Sequence, residues 1–284
     1  MGGAQHVLTL SCDDRRGIVH AVSGVLLRQG CNILDSQQFG DPESGRFFMR
    51  VHFAAESGRG HDELDAAFAP VGRQFEMAWE LHDSSHRPRI IVMASRLSHC
   101  LNDLLYRQRI GALPAEIAAV VSNHPEFAEL ATGYGVPFRH LPVTPSTRDE
   151  ADWRLIELVD ELDVELVVLA RYMQILGPAA TARLAGRAIN IHHSFLPSFA
   201  GANPYAQAHA RGVKLIGATA HYITAELDEG PIIEQGVERV DHTLNAAGLA
   251  AVGRDVECLT LARAVVWHLE HRVLLNGSRT VVLR

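Results

Sequence analysis

No stretch of about 18 apolar residues occurs in the 284-residue chain, so no membrane-spanning helix is expected. Cysteine is sparse. Cys12, Cys31, Cys100 and Cys258 are irregularly spaced and form no CxxC pair, which argues against a disulfide framework and for free thiols in a reducing compartment. Lysine is nearly absent and the arginines are scattered. With 26 basic against 33 acidic residues the formal charge is −7, so no basic face is offered to nucleic acid. The chain also lacks HExxH and the Cys/His spacings of zinc sites. His192 and His193 are adjacent, and neighbours on a strand point to opposite faces. No metal is therefore expected. Internal repeats and low-complexity tracts are absent. The N-terminus runs straight into Val7-Leu8-Thr9-Leu10 without a charged-then-apolar leader, so a cytoplasmic location is expected.

The residues that remain are 47% hydrophobic and 21% charged, enough to bury two modest domains without staples. A polar stretch ending in proline, Leu81 to Pro88, separates two periodic regions and predicts a boundary at 86, giving domains 1–86 and 87–284. The first region reads β-α-β-β-α-β. Strands are expected over 5–11, 32–40, 46–54 and 74–81, and helices over 18–29 and 61–72, with Gly30 as a helix C-cap. That order is the ferredoxin-like arrangement. The second region alternates helices with unalternating apolar strands at 89–94, 116–121, 164–170 and 188–192. This pattern predicts a mostly parallel, Rossmann-like sheet covered on both faces, an α/β fold with reactive groups at the carboxyl ends of strands. Two extended runs, 214–224 and 231–240, and a long helix over 246–275 follow.

The segment Asn190-Ile191-His192-His193-Ser194-Phe195-Leu196-Pro197-Ser198-Phe199-Ala200-Gly201 carries the clearest chemistry. Strand alternation turns Asn190 and His192 to one face. An amide donor beside an imidazole suits acyl transfer: one group meets the oxyanion, the other moves or stabilises a proton. Asp228, before Gly230-Pro231, is the candidate carboxylate on a loop able to fold over the strand end.

Together with Gly217 to Tyr222 and Asp228 to Ile233, this segment resembles the folate-dependent formyltransferase fold, whose signature is Asn-x-His with an Asp 38 residues after the Asn. Asn190 and Asp228 are separated by that distance. The resemblance implies that Asn190, His192 and Asp228 are catalytic, that Ser194, Gly201, Thr219 and His221 line the site, and that Tyr172, Met173, Gln174, Ile175 and Leu176 form a folate pocket used largely through main-chain groups. Transferases of this fold that act on glycinamide ribonucleotide hold a phosphate on a Gly-rich turn. Here the turn from Ala94 to Asp103 contains no glycine, and Leu97 and His99 hinder close backbone approach. Water becomes the expected acceptor.

In the first region, Asp14 to Val19 and Gly30 to Ile33 resemble the ACT domain, which often binds small amino acids. Asp14, Gly17, Ile18, Asn32 and Ile33 are then the implied effector-binding residues, with Gly17 expected where a helix entry needs close backbone approach. An ACT module ahead of a formyltransferase fold, with Ser44 to Arg50, is similar to the formyltetrahydrofolate deformylase family over essentially the whole chain. That similarity implies hydrolysis of 10-formyltetrahydrofolate to formate and tetrahydrofolate, a role in one-carbon balance and purine biosynthesis, folate as substrate with no permanently bound cofactor, an amino-acid effector, and a homo-oligomer. Asp228 would either hold His192 charged or orient the attacking water and accept its proton. Formyl transfer to another amine, and ligand sensing without turnover, are the competing readings.

Overall fold

The computed structural model describes residues 3–55, 58–196 and 204–284. These form two compact units, one of Met1–His86 with His271–Arg284, the other of Arg87–Glu270.

The first unit is β1 (Ala4–Asp13), α1 (Ile18–Arg28), β2 (Cys31–Asp41), β3 (Arg46–Ala55), α2 (His61–Gln74) and β4 (Ala78–Asp83). Its antiparallel sheet has the order β2-β3-β1-β4, the ferredoxin-like topology expected. Strand alternation sends Leu8, Leu10, Met49, Val51 and Phe53 to one face. The α1 residues Ile18, Val22, Val25 and Leu26, at helical spacing, pack on them. Helix α2 runs two residues past the expected end, and β4 starts correspondingly late. Gly17 is required for a different reason from the one expected. Its φ is +94°, a backbone region unfavourable to side chains, while an added Cβ would meet nothing nearer than Phe75 at 3.9 Å.

The C-terminal residues depart from the expected domain 87–284. The last helix stops at Leu269, and β12 (Val273–Asn276) pairs with β13 (Arg279–Val282) as a hairpin of the first unit. Asn276 and Arg279 donate to Asp41 at 2.7 and 3.2 Å, and Asp41 also accepts from Ser44 at 2.7 Å. Those hydrogen bonds, Ser44 and Asn276 foremost, hold the Asp41 carboxyl down at about 2. The signal for this hairpin was Asn276-Gly277, a type of dipeptide that turns tight hairpins.

The second unit is β5 (Arg89–Ala94), α3 (His99–Arg109), β6 (Glu116–Ser122), α4 (Ala128–Gly133), β7 (Phe138–His140), α5 (Arg148–Glu161), β8 (Leu166–Leu169), α6 (Pro178–Arg183), β9 (Ala188–His192), α7 (Pro204–Ala210), β10 (Leu215–Tyr222), β11 (Ile232–Arg239) and α8 (Ala246–Leu269). The sheet order is β11-β10-β9-β8-β5-β6-β7. Strands β5 to β9 are parallel, and β10 and β11 are antiparallel additions. The connection between β10 and β11 is longer than the tight turn expected, running from Ile223 to Pro231. Ile90, Ile91, Val92, Leu166, Val167 and Val168 are fully buried, which explains why these strands read as continuous apolar runs. The chain winds one way from β5 to β7 and then crosses to β8 on the other side of β5. In open parallel sheets ligands bind outside the carboxyl ends of the strands at such a switch point.

Candidate active site

Beyond the carboxyl ends of β8 and β9 lies a cavity of about 230 Å³ whose walls include Asn190, His192, His221 and Asp228. Register brings three of these together. Asn190 pairs with His221 and His192 with Thr219 across the β9–β10 ladder, so all four residues share a face of the sheet. Asp228 arrives from the β10–β11 loop with a φ of +58°, a left-handed conformation uncommon for a residue with a side chain. Two residues on, a Cβ on Gly230 would sit 1.7 Å from the Tyr222 carbonyl oxygen. Only glycine lets the loop cross the end of β10 so closely.

The Asp228 carboxylate lies between two imidazoles. Oδ2 is 3.2 Å from His192 Nδ1, and Oδ1 is 3.6 Å from His221 Nε2. A carboxylate only accepts, so His192 donates through Nδ1 and keeps Nε2 for a reacting group. The hydrogen bonds from His192 and then His221 hold the Asp228 carboxyl well below the usual carboxylate range, outweighing the opposing effect of burial. His221 is fixed from behind. Its Nδ1 donates to the Tyr222 carbonyl at 2.9 Å. Its Nε2 lies 3.3 Å from Asn190 Nδ2, whose amide N–H it accepts when the ring is neutral. A second proton on Nε2 would instead face Asp228, so Asn190 and Asp228 compete for the same nitrogen.

His193 also lines the cavity. Opposite faces were expected for His192 and His193, but β9 ends at His192, the chain bends, and the two rings stack with centroids 5.0 Å apart. Burial, then the charges of Arg171 and His192, push the His193 imidazole down to about 4, which keeps it neutral near pH 7.

Family models match at both ends of the chain: an ACT domain over residues 6–62 and a formyl transferase domain over residues 88–265. A formyltetrahydrofolate deformylase of Corynebacterium sp. (strain P-1) is 50% identical, covering 99% of this chain and 98% of that relative. The crystal structure of a formyltetrahydrofolate deformylase from Burkholderia mallei is 55% identical, with a TM-score of 0.95, over 99% of this chain and 100% of that one. The chain belongs to the formyltetrahydrofolate deformylase family. A glycinamide ribonucleotide transformylase from Symbiobacterium toebii is more distant, 32% identical with a TM-score of 0.65, over 70% of this chain and 95% of that one. The matched ACT and formyl transferase regions fall on the ferredoxin-like sheet and the mostly parallel sheet of this deformylase-family chain.

Of the pocket residues implied by resemblance, Tyr172, Met173, Gln174, Ile175 and Leu176 all line the cavity. Met173 and Ile175 are exposed there, whereas Tyr172 is packed in the core. Met173 N donates to Ser95 Oγ at 2.9 Å, which ties the segment to the end of β5. Ser194 and Thr219 are not among the described walls. The Thr219 hydroxyl is fully buried and donates to the Ser194 carbonyl at 2.9 Å, so this pair braces the turn after β9. Gly201 lies outside the described residues. Sequence reasoning missed His193, Arg171 and the loop residues Thr224 to Leu227, which also form walls. The signal for the loop was the polar stretch between Tyr222 and Pro231.

The implied effector residues are not gathered within one copy of the first unit. Ile18 is 2% exposed and belongs to the core, because its side chain points inward from the first turn of α1. Asp14 sits at the Gly40 end of β2, and Asn32 and Ile33 at the other end, roughly 25 Å away at about 3.3 Å per residue. All four cysteines are free. Among the described residues, one group carries metal-ligand chemistry: His99, Cys100 and Glu257, whose donor atoms lie within 4.8 Å of one another. Arg171 Nε is 3.4 Å from the same Glu257 carboxylate and opposes a cation there. The Cys100 thiol is raised by its hydrogen bond with Cys258 and by burial, so it is not a ready thiolate. No helix among the described residues is long and apolar enough to cross a membrane.

Proposed function

We propose that this chain hydrolyses 10-formyltetrahydrofolate to formate and tetrahydrofolate at the Asn190–His192–Asp228 cluster. The observation that carries this reading is the Asp228 carboxylate between His192 and His221, with the Asn190 amide on the same face of the cavity. The formyl carbon sits before Asn190 and His192. Water adds to it, and the carbonyl oxygen becomes an oxyanion stabilised by the Asn190 amide and His192 Nε2–H. The bond from carbon to the folate nitrogen then breaks as a proton is delivered to that nitrogen, a poor leaving group unprotonated. The depressed proton affinity of Asp228 supports a role in holding His192 charged and orienting water, rather than in storing the proton. Main-chain groups of the 172–176 segment would take the pterin. No permanently bound cofactor is needed for this chemistry.

Incubation with 10-formyltetrahydrofolate and no amine acceptor should release formate stoichiometrically with tetrahydrofolate. If formate appears only when an amine is supplied, the chain is a transferase; ligand binding without turnover would make it a sensor. In the cell the reaction would balance one-carbon folates and supply formate for purine synthesis in the cytoplasm. The ACT unit would join copies into a homo-oligomer and bind a small amino acid. Because Asp14 and Asn32 lie far apart in one copy, such a site would be built from two. A screen of amino acids by thermal shift on the full chain tests this, and no shift with any of them leaves the unit an assembly role only.

A further inference from the structure

The switch point between β5 and β8 is already filled. His99, the first residue of α3 after β5, and Arg171, which follows β8, come from the two strands that flank it. Both grip one carboxylate. Glu257 Oε2 is 2.7 Å from His99 Nε2 and 3.4 Å from Arg171 Nε, and Oε1 accepts from the Tyr205 hydroxyl at 2.9 Å. Glu257 is 1% exposed and projects from the middle of α8. The packing is built around it. A Cβ on Gly253, one turn earlier, would lie 2.0 Å from the Tyr205 hydroxyl, so glycine is what lets Tyr205 lie on the helix. Arg171 holds a φ of +65°, a strained conformation for a side-chain-bearing residue that only firm surroundings maintain. Its Nη1 is buried without a hydrogen-bond partner among the described residues, so the guanidinium has donor capacity to spare.

The first residue after β5 opens a helix whose N–H groups are free for an anion, and Ser98 provides no side-chain cap. A cation, an imidazole and a helix start around a sheet crevice would ordinarily receive an anionic ligand. Here the chain supplies its own. We infer that Glu257 is a specificity-determining residue, an internal carboxylate that fills the anion-binding place at the β5–β8 switch point and excludes phosphorylated amine acceptors from the cavity. The network reaches that cavity through Arg171 and His193, both of which line it, and the His193 ring is 6.4 Å from that of Tyr205. An incoming phosphate would meet a fixed negative charge in a poorly screened interior. Water needs no such charge and is left as the acceptor.

This inference rests on the hydrolytic reading above, but its test measures binding without turnover, so the two can fail separately. Inorganic phosphate is titrated against the full-length wild type and Glu257→Ala. The variant should bind phosphate at least about tenfold more tightly, because His99 and Arg171 lose their anion. Its melting temperature should rise with phosphate while that of the wild type stays fixed, and adding His99→Ala should abolish the gain. Equal phosphate affinity in wild type and a folded variant would overturn the inference; a purely structural Glu257 predicts that result. If Glu257→Ala does not fold, Glu257→Gln, which keeps the volume and an oxygen for Tyr205, decides by the same comparison.

Discussion

Two carboxylates in the second unit are each faced by histidine, yet they do opposite work. Asp228 sits on a loop in a left-handed conformation, its side chain 25% exposed to a cavity, with imidazoles at 3.2 and 3.6 Å. Glu257 sits mid-helix, its side chain 1% exposed, and its oxygens are taken by His99, Arg171 and Tyr205. Hydrogen bonds from His192 and His221 depress the proton affinity of Asp228. Burial alone would raise that of Glu257, but His99, Arg171 and Tyr205 outweigh it and leave it lowered too. The lesson is that a low proton affinity does not mark the reacting group. What distinguishes Asp228 is open space in front of it and partners that retain a free nitrogen.

The sharpest break of this comparison is Asp228→Asn. The size is kept and the charge is lost, so formate release should fall by about 10²–10⁴, with the melting temperature nearly unchanged. Turnover near that of wild type would remove Asp228 from the mechanism. Glu257→Ala should behave in the reverse way. Stripping one partner from a buried charge cluster costs about 3–5 kcal/mol, read as a lowered denaturation midpoint. Unchanged stability would mean that the cluster is not holding α3 to α8. Gly230→Ala tests the geometry alone. The added methyl displaces the loop from Tyr222, and kcat should drop about tenfold or more, on the scale expected when a catalytic group is misplaced by an ångström. No loss would show that Asp228 tolerates a moved loop.

The smallest effect is expected with pH. Burial lowers His193 and His268 to about 4. Between about pH 6.5, the ordinary histidine value, and pH 4, the unfolded chain binds protons that the folded chain refuses. Stability of the second unit should therefore decline as pH falls through that window and gain nothing more from these groups above it. Calorimetry on His268→Asn, which removes one titrating group, should flatten the slope; an unaltered slope would assign it elsewhere.

Much of the fold was legible because burial imposes period. The parallel strands of the second unit are apolar on both faces, and the ferredoxin-like strands alternate, so both patterns could be read directly. The end of α8 could not. Val273-Leu274-Leu275 is a short aliphatic run that fits a helix or a strand equally well, and only its contact with the first unit made it a strand. Ile18 shows the same limit: a residue near a loop was read as binding, but the first turn of α1 turned it into the core.

The sequence by itself determined which side chains could share a face. Asn190 and His192 are two apart on a strand, and Thr219 and His221 likewise, because a pleated strand alternates regardless of its neighbours. It could not determine which strands meet. Pairing of β9 with β10 set Asn190 against His221, the Asp228 loop closed over both, and residues as distant as His99, Arg171, Tyr205 and Glu257 met around one carboxylate. Those contacts are products of tertiary packing: charges buried together must find one another, and a periodicity within one segment carries no record of the partner it will find.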